Sequence, residues 1–439
     1  MIKIITSKPT RLMKLFSSLI YLTLCVSLSA QTPSAQNSTP LKNGSAKSVG
    51  MSTERLARID TMAESAIADR DVPGLVALVA RNGKIVYHKA FGVADAGTGR
   101  ELKKDDIFRI FSQTKAITAT AVMMLWEEGL FKLDDPISKW IPEFKNPQVL
   151  DTYNFTAGTY TTISAKQEIT IRHLLTHSSG VGYGAIDRDE RIRLIYKEAG
   201  IIEAVTQKHV LIADNIKKLA KLPLHFHPGE KYTYSMGLDV LGYFVEILSG
   251  MPLDEFFYSR IFKPLGMKDT YFYLPEDKVD RLVMTHGPKD GKWVPYLGDG
   301  TIDPDYAFKG AKSLFSGGGG LLSTAIDYAN FLQMYLNGGE LNGKRLLSRT
   351  TIATMMASQV KMYPGNGYGL AFSVLDEKGV SVGGLGSEGT FNWGGAANTQ
   401  YFADPNEQVV GIILKQTFGQ RMDDTRWQFR QLVFQAIDD

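Results

Sequence analysis

Strand-like segments stand at the two ends of this chain and hardly anywhere between them. Residues 75–80 (LVALVA) and 84–92 (KIVYHKAFG) flank Arg81-Asn82-Gly83, and Asn-Gly supplies the positive φ angles that a tight hairpin turn demands. At the far end, 368–375 (YGLAFSVL), 399–403 (TQYFA) and 408–415 (QVVGIILK) read as strands, the last two joined by the turn sequence Asp404-Pro405-Asn406-Glu407. The intervening 112–350 is mostly helical or loop in pattern, with apolar residues at helical spacing over 236–249 and 324–336. Strands need paired backbone groups, and the economical way to supply them is one sheet made from both ends. The predicted fold is α+β: a five-stranded antiparallel sheet built from both ends, with an inserted, mostly helical lobe. Amphipathic helices at 53–69 and 424–437 are expected to cover the sheet, the second presenting Trp427, Phe434 and Ile437. The sheet lobe takes about 51–111 and 350–439 and the helical lobe about 112–350, leaving a crevice between lobes as the natural place for a site.

Composition narrows the partners. The 49 Lys and Arg nearly balance 46 Asp and Glu, and no run of five like charges occurs, so a nucleic-acid partner is not expected. Residues 1–14 carry Lys3, Lys8, Arg11 and Lys14 without an acid, and 15–28 are apolar before Ser29 and Ala30. That is the layout of a secretory signal peptide over 1–30, too short for a transmembrane helix, with 31–50 as a flexible segment before a mature domain at 51–439. Export to the periplasm or medium is expected, with no integral membrane segment in the mature chain. Leu24 stands where a lipidated Cys25 would need a small residue before it, which argues against lipid anchoring. Cys25 is the single cysteine, so the mature chain has no thiol chemistry.

The stretch 107–129 (IFRIFSQTKAITATAVMMLWEEG) runs from an apolar piece through Ser112 into a helix apolar on nearly every side. Ser112 and Lys115, three apart at a helix start, share one face, so the amine can reach the hydroxyl. Burial favours a neutral lysine amine able to take a proton. The plain alternative is a capping serine beside a snorkelling lysine. Such pairs also arise by chance, as at Ser358 and Lys361, where no buried helix follows.

Two further segments bear on the choice: PGEKYTYSM at 228–236 and WGGA at 393–396. Together with Ser112-Gln113-Thr114-Lys115 they resemble the serine β-lactamase and penicillin-recognising fold, and within it the class C β-lactamase-like carboxylesterases called family VIII. The phrases ITIRHLLTHSSG (169–180), FKPLGMKDTYF (262–272) and GGGGLLSTAIDYANFL (317–332) extend the resemblance over roughly 50–439. The resemblance implies Ser112 as the acylated nucleophile and Lys115 as the amine that deprotonates or orients it. Tyr234 matches the second motif's tyrosine, a general base for acylation that relays the proton to the leaving alcohol, with Tyr232 as a decoy two places earlier. Backbone N–H groups of Ser112 and Ala396 correspond to the oxyanion donors. Met236, Trp393, Gly394 and Gly395 correspond to substrate-contacting positions.

This chain departs from the lactamase pattern in two places. Met236 replaces the Asn of Tyr-x-Asn, and Trp393 replaces the Lys of Lys-Thr-Gly, removing the grip on a lactam's carboxylate. Trp favours a neutral, apolar substrate. The expected activity is that of a serine hydrolase working through an acyl-enzyme on short to medium acyl esters, with no cofactor and a small-molecule ester or amide as partner. The alternatives are a class C-like lactamase or D-Ala-D-Ala carboxypeptidase, distinguished by cations near Trp393, and a non-turnover penicillin-binding sensor. No Gly-x-Ser-x-Gly elbow occurs. His173 and His177 lack the Glu of a zinc helix, so no metal is expected. His225-Phe226-His227 reads as structural, and Gly317–Gly320 as a tight loop beside the cleft.

Overall fold

The computed structural model describes residues 40–203, 205–298, 302–383, 385–419 and 423–439. Residues 1–30, expected to be a signal peptide, and Cys25 with them lie outside the described residues. The main sheet contains β1 (Lys42–Asn43), β2 (Gly74–Arg81), β3 (Lys84–Asp95), β4 (Arg100–Glu101), β5 (Val360–Tyr363), β6 (Asn366–Tyr368), β7 (Ser373–Leu375), β8 (Phe391–Gly395), β9 (Thr399–Asp404) and β10 (Val409–Leu414). Their order is β1-β3-β2-β10-β9-β8-β7-β6-β5, with β4 on β3. Both ends of the chain therefore meet at β2 and β10, paired from Val409↔Arg81 to Leu414↔Val76.

The expected five-stranded antiparallel sheet is corrected to a ten-stranded mixed one, since β1 runs parallel to β3. The apolar run 368–375 is two strands, folded back at a turn where Ala371 takes φ +71°. That turn is buried, so no polar residue marks it. β8 is short and ends in Gly-Gly, a composition with little strand propensity. Within the 31–50 segment, Lys42 and Asn43 pair with Lys84 and Ile85, and Ala46 and Val49 are buried. Within 148–164, read as helix or loop, lies a hairpin of Gln148–Asn154 and Thr159–Ser164. Its second strand is exposed on both faces, so it lacks the apolar alternation that marks a strand.

Every residue of β2 is buried, and its side chains divide by the strand's two-residue period. Val76, Leu78 and Ala80 join the main core, while Leu75, Ala77 and Val79 join a second core. That double burial explains an unbroken apolar run. Five helices matter for the site: α1 (Arg58–Ala68), α2 (Thr114–Glu127), α3 (Gly237–Ser249), α4 (Ala325–Leu336) and α5 (Thr425–Gln435). α1 and α5 cover the second core, where Phe434 stacks on Phe402 at 5.3 Å. Trp427, expected on that covering face, is 57% exposed instead. α2 is buried from Thr114 through Leu125 in the main core, against α3. No helix among the described residues is long and apolar enough to cross a membrane.

Candidate active site

Ser112 sits in a single 3-10 turn, Phe111–Gln113, that feeds α2. Ile110 donates its N–H to Leu321 O at 3.0 Å, pinning the approach. Phe111 then takes φ +43°, a left-handed conformation costly for a bulky side chain, and its ring is held against Phe418 at 5.6 Å. Strain held by packing presents the next hydroxyl, Ser112, half-buried at the cavity wall.

Lys115 is wholly buried. Its Nζ lies 3.5 Å from Ser112 Oγ, 3.2 Å from Tyr183 Oη and 2.6 Å from Gly318 O. It also lies 4.9 Å from the Tyr183 ring centre and 4.7 Å from that of Tyr234. No carboxylate pairs with it among the described residues. Asp239, on α3, acts from one step further out: its Oδ1 accepts from Ser316 Oγ at 2.5 Å and Gly318 N at 3.1 Å. That fixes the loop whose Gly318 carbonyl receives Lys115. Burial pushes the Asp239 carboxyl above the ordinary carboxylate range, against the opposing pull of Lys115, Ser316 and Gly318. The loop's glycines serve close approach, as read from sequence: a Cβ on Gly318 would lie 2.1 Å from Asp239 Oδ2, and one on Gly317 2.5 Å from Leu238 O.

Tyr183 and Tyr234 stack at 5.3 Å with planes 15° apart. Burial pushes the Tyr183 phenol well above its usual range, with Tyr234, Asp239 and Glu203 adding. Tyr183 is therefore a fixed neutral phenol beside Lys115. The Tyr234 hydroxyl is buried and has no partner among the described residues, and an uncommitted polar group at a cavity invites a functional explanation. Tyr232 packs on Tyr368 at 5.2 Å and His177 at 5.9 Å, away from the amine.

His177 supports Tyr234 from behind, ring to ring at 4.7 Å. Its Nδ1 accepts from Ser235 Oγ at 2.8 Å and Ser235 N at 3.2 Å, which assigns the ring proton to Nε2. Burial and then Lys115 hold this imidazole well below its usual range, so it is neutral. His173 Nδ1 instead accepts from Thr170 N at 3.2 Å, in a helix capping box, so the two histidines serve different partners. His225 Nε2 meets Asp187 Oδ2 at 2.7 Å, a structural contact. Ser358 and Lys361 are both exposed.

The cavity holds about 1150 Å³ and is lined by Ser112, Tyr234, Trp393, Gly394, Gly395 and Ala396, among others. Trp393 lies 5.6 Å from Tyr234 and 5.2 Å from Tyr368. β8 carries these residues with one open edge, because its ladder with β7 stops at Asn392. The Ser112 and Ala396 N–H groups have no acceptor among the described residues. Met236, expected at the substrate, is instead fully buried in the main core, its N–H on Gly182 O at 3.0 Å. Neither Tyr183 nor Asp239 is marked by the sequence motifs as a partner of this site. Asp239, an acid in the first turn of the apolar helix GLDVLGYFVEIL, was the available signal, though the same helix also carries Glu246.

The family model described as Beta-lactamase matches residues 59–435. Esterase EstB of Burkholderia gladioli is 32% identical over 374 residues, covering 82% of this chain and 90% of that protein. A putative D-alanyl-D-alanine carboxypeptidase of Escherichia coli is 27% identical, over 90% of each chain. Among solved structures, EstCE1, a hydrolase with promiscuous acyltransferase activity, superposes with a TM-score of 0.73 at 27% identity, covering 87% of this chain and 99% of its own. The chain belongs to the β-lactamase family and is a serine hydrolase of it.

Proposed function

We propose that the protein is a carboxylesterase acting through an acyl-enzyme on Ser112. One observation carries the reading: a buried Lys115 amine stands 3.5 Å from the Ser112 hydroxyl, with Trp393 where lactamases hold a carboxylate-gripping cation. Ser112 Oγ attacks the ester carbonyl carbon and its proton passes to Lys115. The oxyanion forms against the Ser112 and Ala396 N–H groups. The carbon–oxygen bond to the alcohol then breaks, Tyr234 protonates the leaving oxygen and Lys115 restores the Tyr234 proton. Water, deprotonated along the same relay, releases the acid. Tyr183 stays protonated throughout and anchors Lys115. The resemblance to EstB and EstCE1 supports an ester as substrate. The charged, then apolar, first 30 residues support export, which fractionation of expressing cells tests.

The test is kcat/KM for p-nitrophenyl butyrate against a chromogenic cephalosporin, with Ser112→Ala as blank. The ester is expected to lead by about 100-fold or more, with the blank inactive. A dominant cephalosporin rate overturns the reading. One observation favours a second reading, a lactamase or carboxypeptidase: cations do line the cavity that holds Trp393.

A further inference from the structure

We propose that the ester turned over at Ser112 carries an anionic group, a carboxylate or phosphate, away from the scissile bond, and that Arg426 and Arg430 of α5, with Arg188, bind it. The inference rests on the carboxylesterase reading and names its substrate class. Arg188, Arg426 and Arg430 line the same cavity as Ser112 and Trp393, and no acidic side chain lines it among the described residues. A cavity with three guanidinium groups and no carboxylate is electrostatically unfinished.

The partners of these arginines sharpen the point. Arg188 and Arg426 are exposed and form no ion pair among the described residues. Arg430 donates through Nη2 to Leu385 O and lies over the Phe402 ring at 5.2 Å, while its Nε is buried with no acceptor among the described residues. Burial pushes its guanidinium down to about 10 despite the pull of Asp404. A half-buried guanidinium that forms no ion pair among the described residues and keeps an unmet Nε–H has donor capacity left for an anion.

The serine and the arginines share one cavity around the edge of β8. β8 leaves Trp393, Gly394 and Gly395 unpaired on one edge, and these three residues line the same cavity as Ser112 and the arginines, with Gln400 closing the space beside Gly394. Asn392 and Phe402 are register partners on the sheet face that α5 covers. Trp427, 57% exposed, and Ile186, 58% exposed, give the same cavity an apolar rim. Apolar walls with a cationic patch suit an amphiphilic substrate, apolar in its middle and charged at its end. The neutral substrate expected from Trp393 alone is revised accordingly. Trp393 removes a cation beside the reacting bond, and α5 supplies cations elsewhere in the cavity.

Two matched pairs of chromogenic esters test this. In one, p-nitrophenyl hydrogen adipate is compared with p-nitrophenyl hexanoate. In the other, p-nitrophenyl butyrate is compared with its ring-carboxylated counterpart, which moves the charge to the alcohol side. In at least one pair the charged ester is expected to lead in kcat/KM by about 10-fold, through KM, and to lose that lead as salt is added. Arg426→Gln and Arg188→Gln, which break no ion pair, are each expected to cut the ratio several-fold. Arg349→Gln, outside the cavity, keeps it. Arg430→Gln removes the brace on Leu385, so its result is read only beside a thermal melt. Calorimetry of Ser112→Ala with monomethyl adipate and with methyl hexanoate reads binding without turnover. Arg426-dependent binding of the charged probe, with no ester hydrolysed by the wild type, sinks the esterase reading and leaves the anion site standing. Brisk neutral-ester turnover with no charged preference in either pair, and no Arg426-dependent binding, overturns the proposal and leaves the esterase reading intact.

Discussion

Around Lys115 the side chains are buried and held in place: Tyr183 and Gly318 O bind the amine, Asp239 binds the Gly318 loop, and His177 binds Ser235 beneath Tyr234. Along α5, in the same cavity as Ser112, Arg426 and Trp427 are exposed and unpaired among the described residues. The contrast separates two jobs. Proton transfer needs groups fixed to within a fraction of an ångström and shielded from water, whereas recognition of a remote group tolerates mobile, solvated side chains. Substitutions in the cage should therefore lower kcat, and substitutions on the open wall should raise KM.

The sharpest way to break this division is at the amine itself. Ser112→Ala and Lys115→Ala are each expected to lower kcat by about 10,000-fold or more, read in a single-turnover ester assay, with the fold intact by circular dichroism. Loss of KM alone in Lys115→Ala would contradict the division. One step out, Gly318→Ala places a Cβ 2.1 Å from Asp239 Oδ2, so the loop and its carbonyl must move. A displacement of about 1 Å at such a site costs about 100-fold in kcat, and steady-state kinetics check whether KM stays near wild type. Asp239→Ala leaves the Ser316 hydroxyl and Gly318 N–H buried without their acceptor, which is expected to cost about 2–4 kcal/mol in urea denaturation.

Smaller effects sharpen the comparison. His177→Asn keeps a side chain that tolerates φ +53° and can still accept from Ser235. It is expected to lower kcat by about 10-fold, as a loss of positioning. Burial and Lys115 hold His177 neutral well below the usual imidazole range, so the acid limb of the pH profile should not move in this variant. A shifted limb would make His177 a titrating participant. Trp393→Ala removes ring contacts to Tyr234 and Tyr368, each worth about 1 kcal/mol, and should show mainly as a several-fold rise in KM.

The cage was legible in sequence where local chemistry repeats a pattern. Asn82-Gly83 marked the β2–β3 hairpin, with φ +50° and +74° in the structure. Ser112 and Lys115 were legible by their spacing at the start of an apolar helix taken together with the segments at 228–236 and 393–396. Tyr183 did not, because it follows a loop with no period and reaches Lys115 only through the tertiary fold. The buried turn at Ala371 and the glycine-ended β8 were hidden because neither carries the polar or β-branched residues that mark turns and strands. Met236 was misread for the opposite reason: its place in a motif suggested the substrate, while its side chain faces the core. The open wall was least legible. Arg188 comes from a loop and Arg426 and Arg430 from the last helix, and only the fold brings them to one cavity with Ser112.

The most direct measurement is intact-protein and peptide mass spectrometry after rapid quenching of the protein with p-nitrophenyl butyrate. The account predicts one butyryl group per chain, located on the peptide containing Ser112 and absent from Ser112→Ala. Ester hydrolysis that persists in Ser112→Ala, or an adduct on any other residue, would contradict it.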